Sequence, residues 1–259
     1  MGKTPVLFLG HGSPMNIVLE NSFTESLVQL GRIIPRPKAI LVVSAHWQTT
    51  GTFVTTAQDQ KLIYDFYGFP QELYDVTYPC PGTREQLEDF AVVFENAGIG
   101  YDDKRGLDHA AWAVLKHMYP NADIPTMELS LDDGKSPQEH YNLAKKLAPL
   151  REQGVLIIGS GNIVHNLRVV DWNMDAEPYK WAVNFDTMVK KCIVEERHDK
   201  LIEYNKLGSD GLMSIPTSEH YLPMLYTLGL QDRDEQVNFS YEGFQNASMS
   251  MRCFAIGKL

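Results

Sequence analysis

Cysteine is scarce in this chain of 259 residues: Cys80, Cys192 and Cys253 stand far apart and form no C-x-x-C pair. That excludes a disulfide framework and a thiolate zinc site, and leaves ordinary thiols. Positive charge is in deficit, with 23 Lys and Arg against 33 Asp and Glu, for a formal net charge of -10. A surface of that sign repels phosphate backbones, so nucleic acid is excluded as a general partner and a small-molecule substrate fits better. No apolar run approaches the roughly 20 residues that span a bilayer. The N-terminal Met1-Gly2-Lys3-Thr4-Pro5 enters a strand-like segment without the apolar stretch and cleavage site of a secretory leader. The expectation is a soluble, cytoplasmic protein with no membrane partner. Gly/Ser linkers, charge blocks and internal repeats are missing as well, so residues 1–259 read as one domain, long enough to bury a sizeable core.

What is present is an alternation of two periods. Val6 to Gly10, Ala39 to Ala45, Phe53 to Thr56, Pro125 to Leu129 and Val155 to Gly159 are short apolar runs rich in β-branched residues, as buried strands are. Between them, Ser22 to Ile33, Thr83 to Ala97, Ala110 to Met118 and Pro137 to Leu147 repeat apolar residues every three or four positions, as amphipathic helices do. The order predicts an α/β fold with a mostly parallel open sheet and helices on both faces. Gln236 to Tyr241 and Ser248 to Ile256 are expected as late strands, antiparallel at a sheet edge. Gln58 to Gly82, containing YDFYGFPQELYDVTYPCPG, resists a regular reading. Long irregular segments in compact domains are usually functional loops, and the density of rings here implies that this one walls a pocket.

Sorting the eight histidines locates the chemistry. His117 falls late in a predicted helix, and His140 and His198 lie in charged, helix-like surroundings; all three read as surface or structural. His11 follows VLFLG and His46 follows ILVVSA, each at the carboxyl end of a predicted core strand, where open α/β sheets bind ligands. A single such histidine is more often satisfied by backbone hydrogen bonds. The recurrence favours a shared role, and imidazole is the commonest protein ligand of transition metals. His165 repeats the pattern after VLIIG, in GSGNIVHNL, where Gly159 and Gly161 permit tight turns. GSGN lacks the G-x-S-x-G pattern of a nucleophilic serine, so a serine hydrolase is the weaker reading. In GLDHAAW, Asp108 is a helix N-cap candidate and His109 opens the helix. IPTSEHYLPMLYTLG offers Thr217 or Ser218 as a cap, with Glu219 and His220 in the first helical turn. Successive helix residues diverge by about 100°, so only one of that pair faces a given metal. A carboxylate there completes a 2-His-1-carboxylate iron site, and a third imidazole makes a His-rich site that also suits zinc.

LFLGHGSPMN, PKAILVVSAHW, IYDFYGFPQELYDVTYPCPG, GLDHAAWAVL, MYPNADIPTMELSLD, GSGNIVHNL and PTSEHYLPMLYTLG occur in this order along nearly the whole chain. Together they resemble the class III extradiol ring-cleavage dioxygenases, the superfamily of the protocatechuate 4,5-dioxygenase β-subunit, and within it the single-domain 4,5-DOPA dioxygenase branch. The resemblance implies a metal site at the carboxyl ends of the strands, with His11, His46 and His220 as ligands. Members with a glutamate ligand direct attention to Glu219 instead. It implies His165 as a base or a further ligand, and His109 as a second acid/base or a donor to oxygen. One divalent non-haem ion is expected, Fe(II) for activity, with Zn(II) possible in the same place. The partners implied are a catechol and O2, with Tyr64, Phe66, Tyr67 and Phe69 against the ring. A monomer or small homo-oligomer is expected. A zinc metallohydrolase, a tetrapyrrole metal chelatase and a non-catalytic binding relative are the rival readings; the aromatic loop, GLDHAAW and GSGNIVHNL favour the dioxygenase.

Overall fold

Each apolar run read as a strand is one, and helices separate all but the second and third, which a short turn joins. In the computed structural model, which describes residues 2–259, the chain runs β1 (Val6–Gly10), α1 (Ser22–Ile33), β2 (Ala39–Thr49), β3 (Phe53–Thr55), α2 (Gln71–Tyr74), α3 (Leu87–Ala97), β4 (Gly100–Asp102), α4 (His109–Met118), β5 (Thr126–Asp132) and α5 (Pro137–Lys146). It continues through α6 (Ala148–Glu152), β6 (Val155–Gly161), α7 (Lys180–Val194), α8 (His198–Ile202), α9 (Gly208–Ser214), α10 (Leu222–Gly229), β7 (Val237–Tyr241), β8 (Phe244–Gln245), β9 (Met249–Ser250) and β10 (Cys253–Ile256). Side-chain caps fix three helix starts. Asn21 and Thr24 form a capping box ahead of α1, Ser136 and Glu139 another ahead of α5, and the Asp108 carboxylate accepts the Ala110 N–H at the head of α4. The helix expected from Thr83 begins only at Leu87, because Thr83 to Gln86 form a separate turn, closed by the Gln86 N–H on the Thr83 carbonyl.

Eight strands form one sheet in the order β4-β3-β5-β2-β6-β1-β10-β7. Its centre, β5, β2, β6 and β1, is parallel. β10 pairs antiparallel with β1 and with the edge strand β7, and β3 runs antiparallel to β5. The expected strand from Ser248 to Ile256 divides. Asn246 and Ala247 both take positive φ, 53° and 60°, and fold β9 back on β8 as a separate ribbon, so only β10 joins the main sheet. The central strands are apolar throughout because both their faces are covered. Val6, Phe8, Leu41, Val43, Val155 and Ile157 pack with α3, α5, α7 and α10 on one side. Leu7, Leu9, Ile40, Val42, Leu156 and Ile158 pack with α1 and α4 on the other. At about 1.5–3 kcal/mol for each aliphatic side chain removed from water, this two-sided burial is the main force holding the sheet.

Candidate metal centre

β6 lies between β1 and β2, and the three strands run the same way, so their carboxyl ends share one edge. His11 follows β1 directly, its N–H still bonded to the Gly161 carbonyl at 3.1 Å. Gly12, at φ +63°, then turns the chain. β2 does not stop at Ala45. It continues past His46, and the stretch from Val43 to Gln48 faces only Leu129 to Leu131 of β5, a bulge that re-aims the histidine.

His220 is positioned differently from the expectation of a first helical turn. The Ser218 carbonyl accepts the N–H groups of Tyr221 and Leu222, and α10 starts at Leu222. Pro223 has no N–H with which to extend the helical ladder back to Glu219. The turn is docked on β6 instead, with the His220 carbonyl accepting the Asn162 N–H at 2.8 Å. Gly159 and Gly161, expected to relax a turn, are strand residues whose missing side chains admit this segment. A Cβ on Gly161 would lie 2.1 Å from the His220 oxygen, and one on Gly159 would lie 2.3 Å from the Pro223 oxygen.

Hydrogen bonds behind the rings fix the tautomers. The Ser160 hydroxyl donates to the Ala110 carbonyl at 2.6 Å, so it accepts from the His11 Nδ1–H at 3.0 Å. Asp65 Oδ2 accepts the His46 Nδ1–H at 2.9 Å. Glu219 Oε1 accepts the His220 Nδ1–H at 3.1 Å and the Thr217 hydroxyl at 2.8 Å. A neutral imidazole carries one N–H, so the Nε2 atoms of His11, His46 and His220 present lone pairs. They lie 3.3 Å (His11 to His46) and 3.2 Å (His46 to His220) apart. Nitrogens bound at about 2.0–2.1 Å to one tetrahedral ion stand about 3.3 Å from each other, so the donor set fits a single metal ion. Burial, reinforced by the neighbouring imidazoles, holds His11 and His220 well below the ordinary histidine pKa and keeps them neutral. For His46, burial acts in the same direction, but the Asp65 hydrogen bond and the charges of Asp108, Asp65 and Glu219 outweigh it and raise the pKa. Those carboxylates favour a cation at His46 Nε2, proton or metal alike.

His109 and His165 complete the cluster. Asp65, which no sequence pattern marks, uses its other oxygen on His109, accepting the backbone N–H at 3.0 Å and Nδ1–H at 2.9 Å. Burial disfavours the Asp65 anion, but the bonds from His109 and His46 outweigh that and hold its pKa far below the usual carboxylate range. Burial, followed by the charge of His46, lowers the pKa of His109, against the opposing pull of Asp65. His165 stacks flat on His220, ring centroids 3.6 Å apart and planes 8° from parallel, and burial lowers its pKa to about 4. The ligand atoms of His165, Glu219 and His220 lie within 4.8 Å of one another, as do those of His11, His46 and His109. Beneath the site, Asp108 accepts from Ser44 and Arg105 beside the buried Glu128, whose carboxyl is pushed well above its usual range by burial and by the Asp108 charge.

Phe66 meets His109 edge-on at 5.4 Å and packs on Trp112, Phe69 and Tyr74. Tyr64 packs on Trp112 at 5.5 Å and donates to the Val76 carbonyl. Tyr67 is 92% exposed and joins none of these ring contacts, so it stands outside the aromatic wall. His117, His140 and His198 bond to Asn16, Tyr226 and Tyr141 respectively, apart from the cluster, and His140 is fully buried. A groove of about 890 Å³ between α1 and β7 contains none of the clustered histidines. Among the described residues, no helix is long and apolar enough to cross a membrane.

Residues 5–255 match the family model described as the catalytic LigB subunit of aromatic ring-opening dioxygenase. The chain is 44% identical to the 4,5-DOPA dioxygenase extradiol of Escherichia coli strain K12, over 98% of this chain and 95% of that protein. It is 32% identical to the protein of the same name from Beta vulgaris, over 94% and 92%. A crystal structure of an uncharacterized protein from Escherichia coli K12 superposes with a TM-score of 0.85 at 41% identity, covering 98% of this chain and all of that one.

Proposed function

This chain belongs to the LigB family of aromatic ring-opening dioxygenases, and from that membership we propose that it opens a catechol such as DOPA at the bond beside its two hydroxyls. The second substrate is O2, and the product is a muconic semialdehyde. Both atoms of O2 enter the product and the hydroxyl protons are redistributed, so no external reductant is needed. The observation that carries the reading is the convergence of the three Nε2 atoms of His11, His46 and His220 beside two further imidazoles.

Those three nitrogens would hold one divalent ion, with Glu219 behind His220 as the acceptor that orients the ring. A redox-active ion such as Fe(II) would supply a redox centre for the reaction of a catechol with O2, whereas Zn(II) would suit the same nitrogens but is redox-inert. His165, uncharged near pH 7 and held against His220, takes a catechol hydroxyl proton. His109 keeps an accepting Nε2, since its Nδ1–H is committed to Asp65, and serves as the second acid/base. Phe66 and Tyr64 line the approach and exclude water from the ring. The enzyme works in the cytoplasm as a monomer or small homo-oligomer, with residues 1–259 acting as one catalytic domain.

The test is anaerobic loading with Fe(II), then addition of DOPA, caffeate and other catechols in air. Oxygen uptake with a new yellow chromophore is expected. Iron-loaded protein that consumes no oxygen with any catechol of a broad panel would overturn the assignment.

A further inference from the structure

We propose that Asp65 is the positioning residue that sets the roles of two histidines at once, orienting His46 as a metal ligand and His109 as a proton acceptor. The inference rests on the reading of His46 as a ligand, and it adds a residue from the aromatic loop to the machinery.

The geometry is a fork. Oδ2 accepts from His46 Nδ1 at 2.9 Å, and Oδ1 accepts from His109 Nδ1 at 2.9 Å and from the His109 backbone N–H at 3.0 Å. An ionised carboxylate can only accept, so both rings must place their proton on Nδ1 and leave Nε2 bare. For His46, Nε2 is the atom that faces His11 and His220. For His109, whose ring meets that of His46 edge-on at 4.2 Å, the bare Nε2 is a base next to the centre. Two side chains from different parts of the fold, the β2 bulge and the first residue of α4, thus take complementary tautomers from one group. That group lies beside Phe66, so the loop that walls the site also holds the metal ligand.

The two oxygens are not equivalent, and this gives the proposal a signature. The Oδ1 position must accept a backbone N–H that cannot move without disturbing the start of α4. In Asp65→Asn the amide oxygen therefore stays there, and the NH2 turns toward His46 Nδ1. His46 must then accept at Nδ1 and carry its proton on Nε2, pointing at the metal. In Asp65→Ala neither ring is directed, and His46 remains free to adopt the binding tautomer. The asparagine, although closer in shape, is the more damaging change.

Zinc affinity measured by competition with a chromogenic chelator tests this, with folding checked by circular dichroism. Asp65→Asn is expected to weaken zinc binding by about 10–100-fold, the usual range for a lost carboxylate behind a metal-bound histidine, and Asp65→Ala by less. Tyr67→Ala, two residues along the same loop with a side chain 92% exposed and clear of the ring contacts, should stay within about threefold of the parent. The proposal is overturned if Asp65→Asn binds zinc as the parent does, if Asp65→Ala is equally weak or weaker, or if Tyr67→Ala shows the same loss. A parent that binds no zinc also overturns it. Should Asp65→Asn fail to fold, long-range proton–nitrogen NMR of the zinc-loaded parent reads the tautomers directly; a proton on Nε2 of His109 or a bare Nδ1 on His46 refutes the assignment. Neither measurement uses substrate, so both stand apart from the oxygen-uptake test.

Discussion

Replacing Gly161 by alanine tests how the third imidazole is placed. Gly161 is not among the positive-φ residues, so an alanine meets no backbone strain there, and only space is at issue. Its Cβ would lie 2.1 Å from the His220 carbonyl oxygen, whereas real contacts of this kind begin near 3.0 Å. That oxygen is backbone and cannot swing aside as a side-chain tip can. The turn from Ser218 to Pro223 must therefore retreat by roughly 1 Å, well beyond the tolerance of about 0.2 Å on metal–ligand distances. The retreat also stretches the Asn162 N–H to His220 carbonyl bond, now 2.8 Å. Overpacking and a weakened buried hydrogen bond together cost about 2–4 kcal/mol. Urea unfolding of the metal-free variant should show a lower midpoint at unchanged slope, and zinc affinity should fall at least about tenfold. Gly134→Ala is the control, since its Cβ would meet only Asp132 Oδ1 at an ordinary 3.4 Å. If Gly161→Ala keeps both the parental urea midpoint and the parental zinc affinity, the docking argument is refuted.

Two further outcomes are expected. His220→Ala should emerge from gel filtration with little zinc, while Glu219→Gln should retain it with an affinity weaker by about tenfold; the reverse pattern would exchange their roles. His140, buried against Tyr226, has its pKa lowered by burial from 6.5 to about 4. As pH falls below the unfolded value, the unfolded chain takes up a proton that the native protein refuses, so stability declines between about pH 6.5 and 4 and levels off below. The contribution to the folding equilibrium is on the order of a hundredfold. His140→Gln should flatten the dependence of the urea midpoint on pH across that window, and equal slopes for variant and parent would refute the point.

The central strands were legible because a strand covered on both faces writes a continuous apolar run, and α1, α4 and α5 because their apolar residues recur every three or four positions, with Asp108 marking the start of α4. The histidines stood out for the same reason, as polar residues at the ends of apolar runs. The β2 bulge was not legible, since it exists only in register with β5. Nor was the function of Gly161, whose small size matters only to a segment that arrives much later in the chain. α7 carries Ala182, Phe185 and Val189 on its buried face, but no side-chain cap bond marks its start. Asp65 sits between Tyr64 and Phe66 in a stretch read for its rings, and nothing in the sequence sets it apart from Glu72 and Asp75. Its two imidazole partners come from separate elements, and only the fold brings them to its two oxygens.

The placement of β6 between β1 and β2 has a consequence for how the protein is made. His11 and His46 leave the ribosome early, yet their strands never pair with each other, and the serine that orients His11 belongs to β6. His220, from close to the other end of the chain, closes the set by resting on the last residues of that same strand. A nascent or truncated chain that ends before Val155 lacks Ser160 and the whole strand that lies between β1 and β2, so His11 has no serine acceptor and the two strands have no common neighbour. On the proposed ligand set, the seat for a metal is complete only when the sheet is, because its three imidazoles come together across β6.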